Sequence, residues 1–381
     1  MPGPGEILEL VRSGRAVTRG DILEVTGLSR MTVSARIDSL RDAGLVVENG
    51  TDRVTGGRPS RRLEFNTARA TLVVATVDTT HTTVALTDLA GRVASEDRVE
   101  VAVADGPHRT LNAIVEAARA LLDDTGIADA GLGGIGICIP GPVDPDTGRP
   151  SQPPIMPGWD AYPVADHLRD ALGAPVLVSN DADAAGLGEQ RAAHPASRSL
   201  CFIKVSSGIG TGIILDGQVY RGADGGAGDI GHVKIAGHHE RCQCGAEGCL
   251  AAIASGRAVA HALTEIGKPA HSASAVGAYL AAGDPDAARL TQAAGRVIGE
   301  VVATVVSLLN PAEVVLGGML ASAPLLAGVR ETLYPRSLPR ATRHLSISQS
   351  TLGERAAIVG LATLVVEREY SAAAVNAALG S

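Results

Sequence analysis

Four side chains stand out for what their types and spacing can do. His232, Cys242, Cys244 and Cys249 form the string H-x9-C-x-C-x4-C. Three thiolates and one imidazole suit a tetrahedral zinc ion. Three of the five cysteines crowd into residues 242–249, which points to a metal in a reducing compartment rather than to a disulfide frame. His238 and His239 compete with His232 for the fourth position. Gly245 and Gly248 let the backbone fold sharply around an ion. With four protein ligands the site is closed, a structural staple and not a hydrolytic centre.

The second chemistry is cationic. Residues 1–65 hold ten arginines and nine acids, whereas the whole chain carries a net charge of −8. That overall charge excludes a general nucleic-acid coat and leaves a local reader of duplex DNA. The elements that must position its arginines are legible. Glu6–Arg12 has a helical apolar face of Ile7, Leu8, Leu10 and Val11. Thr18 caps a helix Arg19–Thr26, with Asp21 as its capping-box partner. Gly27-Leu28 turns, Ser29 caps a helix Arg30–Ala43, and Gly44 ends it. Burial of Val33, Ile37 and Leu40 predicts that Arg30, Thr32, Ser34 and Arg36 face a major groove, while the helix start near Thr18 and Arg19 faces a phosphate. A hairpin follows, with an arginine-rich loop in which Arg58, Ser60 and Arg61 are candidate groove and backbone contacts. Helix, turn, helix and basic hairpin in that order predict a winged helix-turn-helix. One copy offers few phosphate contacts, so a dimer on a two-fold operator is expected.

The remainder is too long for one core. The chain has 381 residues, 45% of them apolar and 2% aromatic, so two or three domains with cores of Ala, Val, Leu and Ile are expected. No run approaches the roughly 20 apolar residues of a membrane span. The start lacks a basic stretch followed by an apolar block. A cytoplasmic protein with no membrane partner is the expectation. Strands at Leu72–Val77, Thr83–Asp88, Val99–Val103 and Gly134–Ile139 alternate with a helix near 108–124, then a helix at 163–172 and a strand Pro175–Ser179. Strands Leu200–Val205, Gly212–Leu215 and Glu313–Leu316, with long helices near 285–309, form a second α/β segment, and a last helix near 355–370 is expected to pack back on the first lobe. The predicted domains are 1–66, then 72–183 joined by 355–381, then 184–354.

These residues resemble the ROK family (repressors, open reading frames and sugar kinases), specifically its regulators with a winged helix-turn-helix. The carriers are Gly27-Leu28-Ser29-Arg30, Gly57-Arg58-Pro59-Ser60, Pro140-Gly141-Pro142-Val143, Pro157-Gly158-Trp159 and Asn180-Asp181-Ala182. Asp229-Ile230-Gly231-His232 then leads into Cys242-x-Cys244-Gly245-x-x-Gly248-Cys249. The resemblance spans almost the whole chain. It implies an actin-like (ribonuclease H-like) two-lobed α/β body, a sugar cleft, and a homodimer or homotetramer. It favours His232 as the fourth zinc ligand. It also gives Asp181 the position of the general base in the family's kinases, Asn180 and Asp229 sugar-binding positions, and His232 a place on both sugar and metal.

The departures decide what activity to expect. The family's first phosphate loop reads Asp-x-Gly-Gly-Thr; here it is Asp78-Thr79-Thr80-His81-Thr82, so both glycines are gone where backbone must approach phosphate. The second, normally opening Gly-Thr-Gly, begins Ser206-Ser207-Gly208. Gly317-Gly318, on the nucleotide side, is retained. The sugar-binding Glu before Ile-Gly-His is Asp229, a second Glu is Ala251, and an Asn before Pro-Gly-Trp is replaced by Ile155. The expectation is a transcriptional repressor tuned by a carbohydrate-like effector, with kinase activity lost and Asp181 vestigial. The alternatives are a sugar kinase with a DNA-binding head, and a DNA-binding dimer that takes no effector.

Overall fold

The computed structural model describes residues 2–51, 61–126 and 131–380. The amino-terminal head holds α1 (Pro4–Arg12), α2 (Arg19–Thr26) and α3 (Arg30–Asp42), followed by the antiparallel pair β1 (Val46–Thr51) and β2 (Arg61–Phe65). Thr18 and Asp21 make the expected reciprocal cap: the Asp21 amide donates to Thr18 Oγ1 at 3.2 Å and the Thr18 amide to Asp21 Oδ2 at 2.9 Å. Ser29 Oγ accepts from the Thr32 amide at 3.2 Å. Gly27, at φ 66°, turns α2 into α3. Ile7, Ile22, Val33, Ile37, Leu40 and Leu63 close the core of the head.

Two sheets of one design form the body. In the first, β3 (Thr71–Val77), β4 (Thr82–Thr87) and β5 (Val93–Val99) make an antiparallel meander. The strands β6 (Leu132–Ile139) and β7 (Val176–Asn180) add in parallel beside β3. The helices α4 (Pro107–Thr125) and α5 (Val164–Leu172) cover one face. The strand expected at Val99–Val103 lies earlier, at β5, and Val103 begins a short 3-10 turn whose carbonyl accepts from Trp159 Nε1 at 2.9 Å.

After α6 (Asp181–Ala193) the second sheet repeats the pattern. The meander is β8 (Ser199–Val205), β9 (Ile209–Leu215) and β10 (Gln218–Val219). Between it and the parallel strands come α7 (Leu250–Ala254), α8 (Gly256–Glu265), α9 (Ala273–Ala281) and α10 (Pro285–Leu309). Then follow β11 (Glu313–Gly317), α11 (Ala323–Arg336), α12 (Pro339–Thr342), β12 (Ser346–Gln349), α13 (Arg355–Glu369) and α14 (Ala372–Ala378). By length and composition α10 could cross a membrane. Here Ala287, Ala294, Ile298, Val302 and Val306 bury one side of it in the second lobe.

The lobes meet through α6 and α13. Buried residues of α13, among them Ile358, Leu361 and Val365, cluster with Leu72 and Val74 of the first sheet. Ala185 and Leu187 of α6 cluster with Leu200, Phe202 and Ile214 of the second. The two helices touch backbone to backbone. A Cβ on Gly188 would lie 1.8 Å from the Ala356 carbonyl, and one on Gly360 1.7 Å from the Ala184 carbonyl. Residues 372–378 leave the first lobe, to which the sequence assigns them. Val375 is buried in the core of the head, and Asn376 bonds the Gly5 amide at 2.7 Å and Glu6 Oε2 at 2.9 Å.

Candidate functional site

The cysteines and histidine come together. Donor atoms of His232, Cys242, Cys244 and Cys249 all lie within 4.8 Å of one another. Cys244 and Cys249 sulfurs are 3.7 Å apart, and Cys242 Sγ is 3.8 Å from His232 Nδ1. Tetrahedral zinc with Zn–S bonds of about 2.3 Å has S···S edges of roughly 3.8 Å, so the donor set fits a metal. His238 faces Glu240 at 3.1 Å instead. The turns need their glycines: Gly245 and Gly248 have φ of 89° and 72°, and a Cβ on Gly248 would strike the His238 carbonyl at 2.5 Å. Lys234 Nζ sits 3.1 Å from Cys249 Sγ, placed to donate to it.

Beside this cluster a cleft opens between the lobes, lined by Asn180, Asp181, Asp229, His232, Ile155 and Ala251. Asp181 opens α6, but it is not free. Lys204 of β8 donates to Asp181 Oδ2 at 2.5 Å and lies 3.8 Å from Asp78 Oδ2. Burial works against the Lys204 ammonium, yet the two carboxylates more than offset it and hold its pKa above the usual lysine range. Burial pushes Asp78 up, but Lys204 and hydrogen bonds from Thr79 hold it below the usual carboxylate range. Burial raises Asp229, with His232 opposing. Asn180 is largely engaged as the cap of α6. Its Oδ1 accepts from the amides of Ala182 at 2.8 Å and Asp183 at 3.2 Å, and Nδ2 donates to the Gly141 carbonyl at 3.0 Å. One amide hydrogen remains for a ligand.

The altered phosphate loops reach each other. Thr79 Oγ1 and Ser207 Oγ are 2.7 Å apart across the cleft, and His81 is buried. Gly317 is retained for packing, since a Cβ there would lie 2.1 Å from the Phe202 ring. Lys204 and Arg257 of this cleft carry no signal in their spacing; only the pairing of strands and helices brings them in.

Asp183, two residues past Asp181, is buried 3.7 Å from Arg221. Burial pushes its carboxyl up to about 7; Arg221 opposes the rise and Asp181 and Asp229 add to it. A raised folded pKa means stability present below the unfolded value near 3.9 and lost as pH rises through about 7. Asp183→Asn should therefore match the parent at pH 4 and exceed it by about 1–3 kcal/mol at pH 8. Urea unfolding at the two pH values checks this; an equal difference at both would contradict it.

The head corrects several sequence expectations. Thr18 is buried and its hydroxyl and amide serve the cap, while the Val17 amide also bonds Asp21. Neither the hydroxyl nor those amides face a phosphate. Arg19 is drawn inward, its guanidinium on Ser34 Oγ at 3.1 Å and Glu48 Oε1 at 2.9 Å, so Ser34 serves packing of the head. Arg36 lies on the flank of α3 toward α1: Glu6 feels its charge, and its Nη1 is buried without a partner. Arg30 is exposed and Thr32 half-buried, its hydroxyl 2.8 Å from Ser29 Oγ. The residues sequence reasoning missed are Met31, 82% exposed, and Ala35, also exposed. The burial period of Val33, Ile37 and Leu40 points outward through them. Arg61 is exposed and pairs with Glu48 at 3.2 Å. Arg58 and Ser60 lie outside the described residues.

The ROK family model matches residues 75–368. The xylose repressor of Bacillus spizizenii is 26% identical over 95% of this chain and 94% of its own. A solved ROK family transcriptional regulator, a homologue of the Escherichia coli MLC protein, superposes with TM-score 0.81 at 25% identity, covering 99% of this chain and 98% of that one. The ROK hexokinase of Thermus thermophilus is 31% identical with TM-score 0.61, over 77% of this chain and 97% of its own.

Proposed function

Because the chain belongs to the ROK family, we propose that it is a DNA-binding transcriptional repressor whose two-lobed body holds a carbohydrate-like effector and no longer phosphorylates it. The observation that carries the second half is Lys204. A general base must accept a proton from the substrate hydroxyl. In this cleft Asp181 already accepts from a buried ammonium held by two carboxylates, and the Thr79–Ser207 contact lies between the altered phosphate loops. Cationic side chain and hydroxyls stand where a nucleotide's phosphates and metal would need room.

The first half rests on the head. Its caps, turn and hairpin present the start of α3 to solvent, with Arg30, Thr32, Met31 and Ala35 along the outward side. Arg30 can bond a guanine edge, and Met31 and Ala35 can meet thymine methyl groups. Arg61, with Arg58 and Ser60 of the hairpin loop, would hold the duplex backbone. A homodimer or homotetramer on a two-fold operator supplies the contacts one head lacks. Zinc held by His232, Cys242, Cys244 and Cys249 would be structural, fixing the wall of the cleft that His232 forms.

Effector and operator communicate through α13. Its first turn adjoins Gly353 and Glu354, which line a neighbouring pocket with Asp78, Asp181 and Lys204, and just past its end the Tyr370 carbonyl accepts from Arg12 while the Tyr370 ring meets Phe65 of the head edge to face. A ligand moves this lever only by its difference in affinity for open and closed lobes.

The test is selection of bound duplex fragments by the purified full chain, with and without sugars. Arg30→Ala should weaken the selected operator about 5- to 100-fold; unchanged binding removes α3 from the interface. Sugar-dependent ADP release that disappears in Asp181→Asn would instead establish a kinase.

A further inference from the structure

A second chamber lies beside the cleft. Val77, Cys138, Phe202 and Met319 line it from the two lobes, with Ala185 of α6 and Ala357 of α13. Asp78, Asp181, Lys204 and Ser206 line both spaces, so the Asp78–Lys204–Asp181 ion cluster stands between them. The repressor reading gives this chamber no role. The proposed loss of phosphorylation takes a nucleotide out of it and puts nothing in its place.

Size and lining limit what fits. The chamber's volume is about 140 Å³, and an apolar cavity of about 150 Å³ accepts a benzene ring. The first six residues named supply apolar walls. The polar groups are unevenly used. Asp78 Oδ1 accepts from the Thr79 amide at 2.5 Å and the Thr79 hydroxyl at 3.0 Å. Asp78 Oδ2 stands 3.8 Å from Lys204, beyond hydrogen-bond reach. His81 lines the chamber and is 3% exposed. Its Nδ1 lies 3.2 Å from Thr80 Oγ1, and its Nε2 bonds no group among the described residues. With an Nδ1–H donated to Thr80, Nε2 presents a lone pair. Glu354, exposed, adds a third carboxylate against the single ammonium of Lys204. Two free acceptors and an excess of negative charge suit donors that carry positive charge, and they oppose a phosphate or carboxylate.

We infer that this chamber is a second ligand site, which takes a small organic ammonium with an apolar body the size of one aromatic ring. The N–H groups meet Asp78 and His81, and the ring lies against Phe202 and Met319. This goes beyond the proposed function. The walls belong to both lobes and to the start of α13, so an occupant bears on the same lobe movement as a ligand in the cleft.

The probes are benzylamine, benzyl alcohol and benzoate, of one size and three charges, offered to the purified full chain in titration calorimetry at low salt. Benzylamine should bind about tenfold or more tighter than the alcohol, and benzoate weakest. Ala357→Leu, which fills the chamber, should abolish benzylamine binding. Asp78→Asn should bring the amine down to the level of the alcohol, and it decides alone if Ala357→Leu does not fold. The alcohol or benzoate binding as tightly as the amine, a preference that survives Asp78→Asn, amine binding that survives Ala357→Leu, or no binding of any probe overturns the inference. Displacement of benzylamine by AMPPNP with magnesium would assign the chamber to a nucleotide, overturning this inference and the loss of phosphorylation together. Operator selection without any ligand tests the DNA-binding reading separately.

Discussion

Cys249→Ser is expected to empty the metal site and cost the protein several kcal/mol of stability. Cys249 is fully buried and begins the turn into α7, so it joins the metal loop to the second lobe's core. Structural zinc contributes about 10–16 kcal/mol to the folding of peptides that have little else. Here Leu250 and Ala254 anchor one end of the loop in a large cluster, so the loss should fall on residues 232–249 and not on the lobe. Metal analysis should drop from one zinc per chain to none. Amide exchange should accelerate in that segment, and any sugar response should vanish with the displaced His232. A wild-type protein that carries zinc yet melts at the same temperature as the variant would defeat the prediction.

Gly360→Ala should be at least as damaging. Ordinary overpacking costs about 1–3 kcal/mol because neighbours give way. At this position the new atom meets the Ala184 carbonyl at 1.7 Å, and the reciprocal Gly188 contact at 1.8 Å prevents the helices from sliding apart on one side only. Relief requires α6 and α13 to separate, and with them the two sheets. Loss of soluble protein, or destabilisation of about 3 kcal/mol or more, is expected. Gly20→Ala is the control. It lies in α2 with its nearest neighbour at 3.6 Å, and the better helix propensity of alanine should leave stability equal or slightly higher. Denaturant midpoints for the pair settle the matter; similar values would mean that the crossing is not as tight as described.

The same glycines show why some of the fold was illegible. In the sequence, Asp181-Ala-Asp-Ala-Ala-Gly-Leu-Gly is a run of small residues with two glycines and carries no apolar helical period. Gly186 and Gly188 look like breakers, yet they are the points where α6 meets Phe202 and α13. Tertiary contact, not propensity, makes that helix. The head was legible because its signals are local: Thr18, Gly27, Ser29 and the period of Val33, Ile37 and Leu40 each act within a few residues. Arg36 and Ser34 misled because a helix has three sides, and the flanks of α3 serve α1 and Arg19. The three cysteines of the candidate metal cluster could be read from spacing alone, whereas the choice of His232 over His238 and His239 rested on the resemblance. The cleft could not, since Lys204 and Arg257 come from strands and helices whose pairing no short window of sequence reveals.

The meeting of Val375 and Asn376 with Ile7, Gly5 and Glu6 has a consequence for how the protein is made. A reader of DNA encoded first cannot finish closing its interior until residues 372–378 have left the ribosome. Nascent or prematurely terminated chains therefore emerge with an unplugged recognition module and should be silent on the chromosome. For the same reason, swapping heads between relatives by cutting near residue 66 should fail unless the carboxy-terminal helix travels with them.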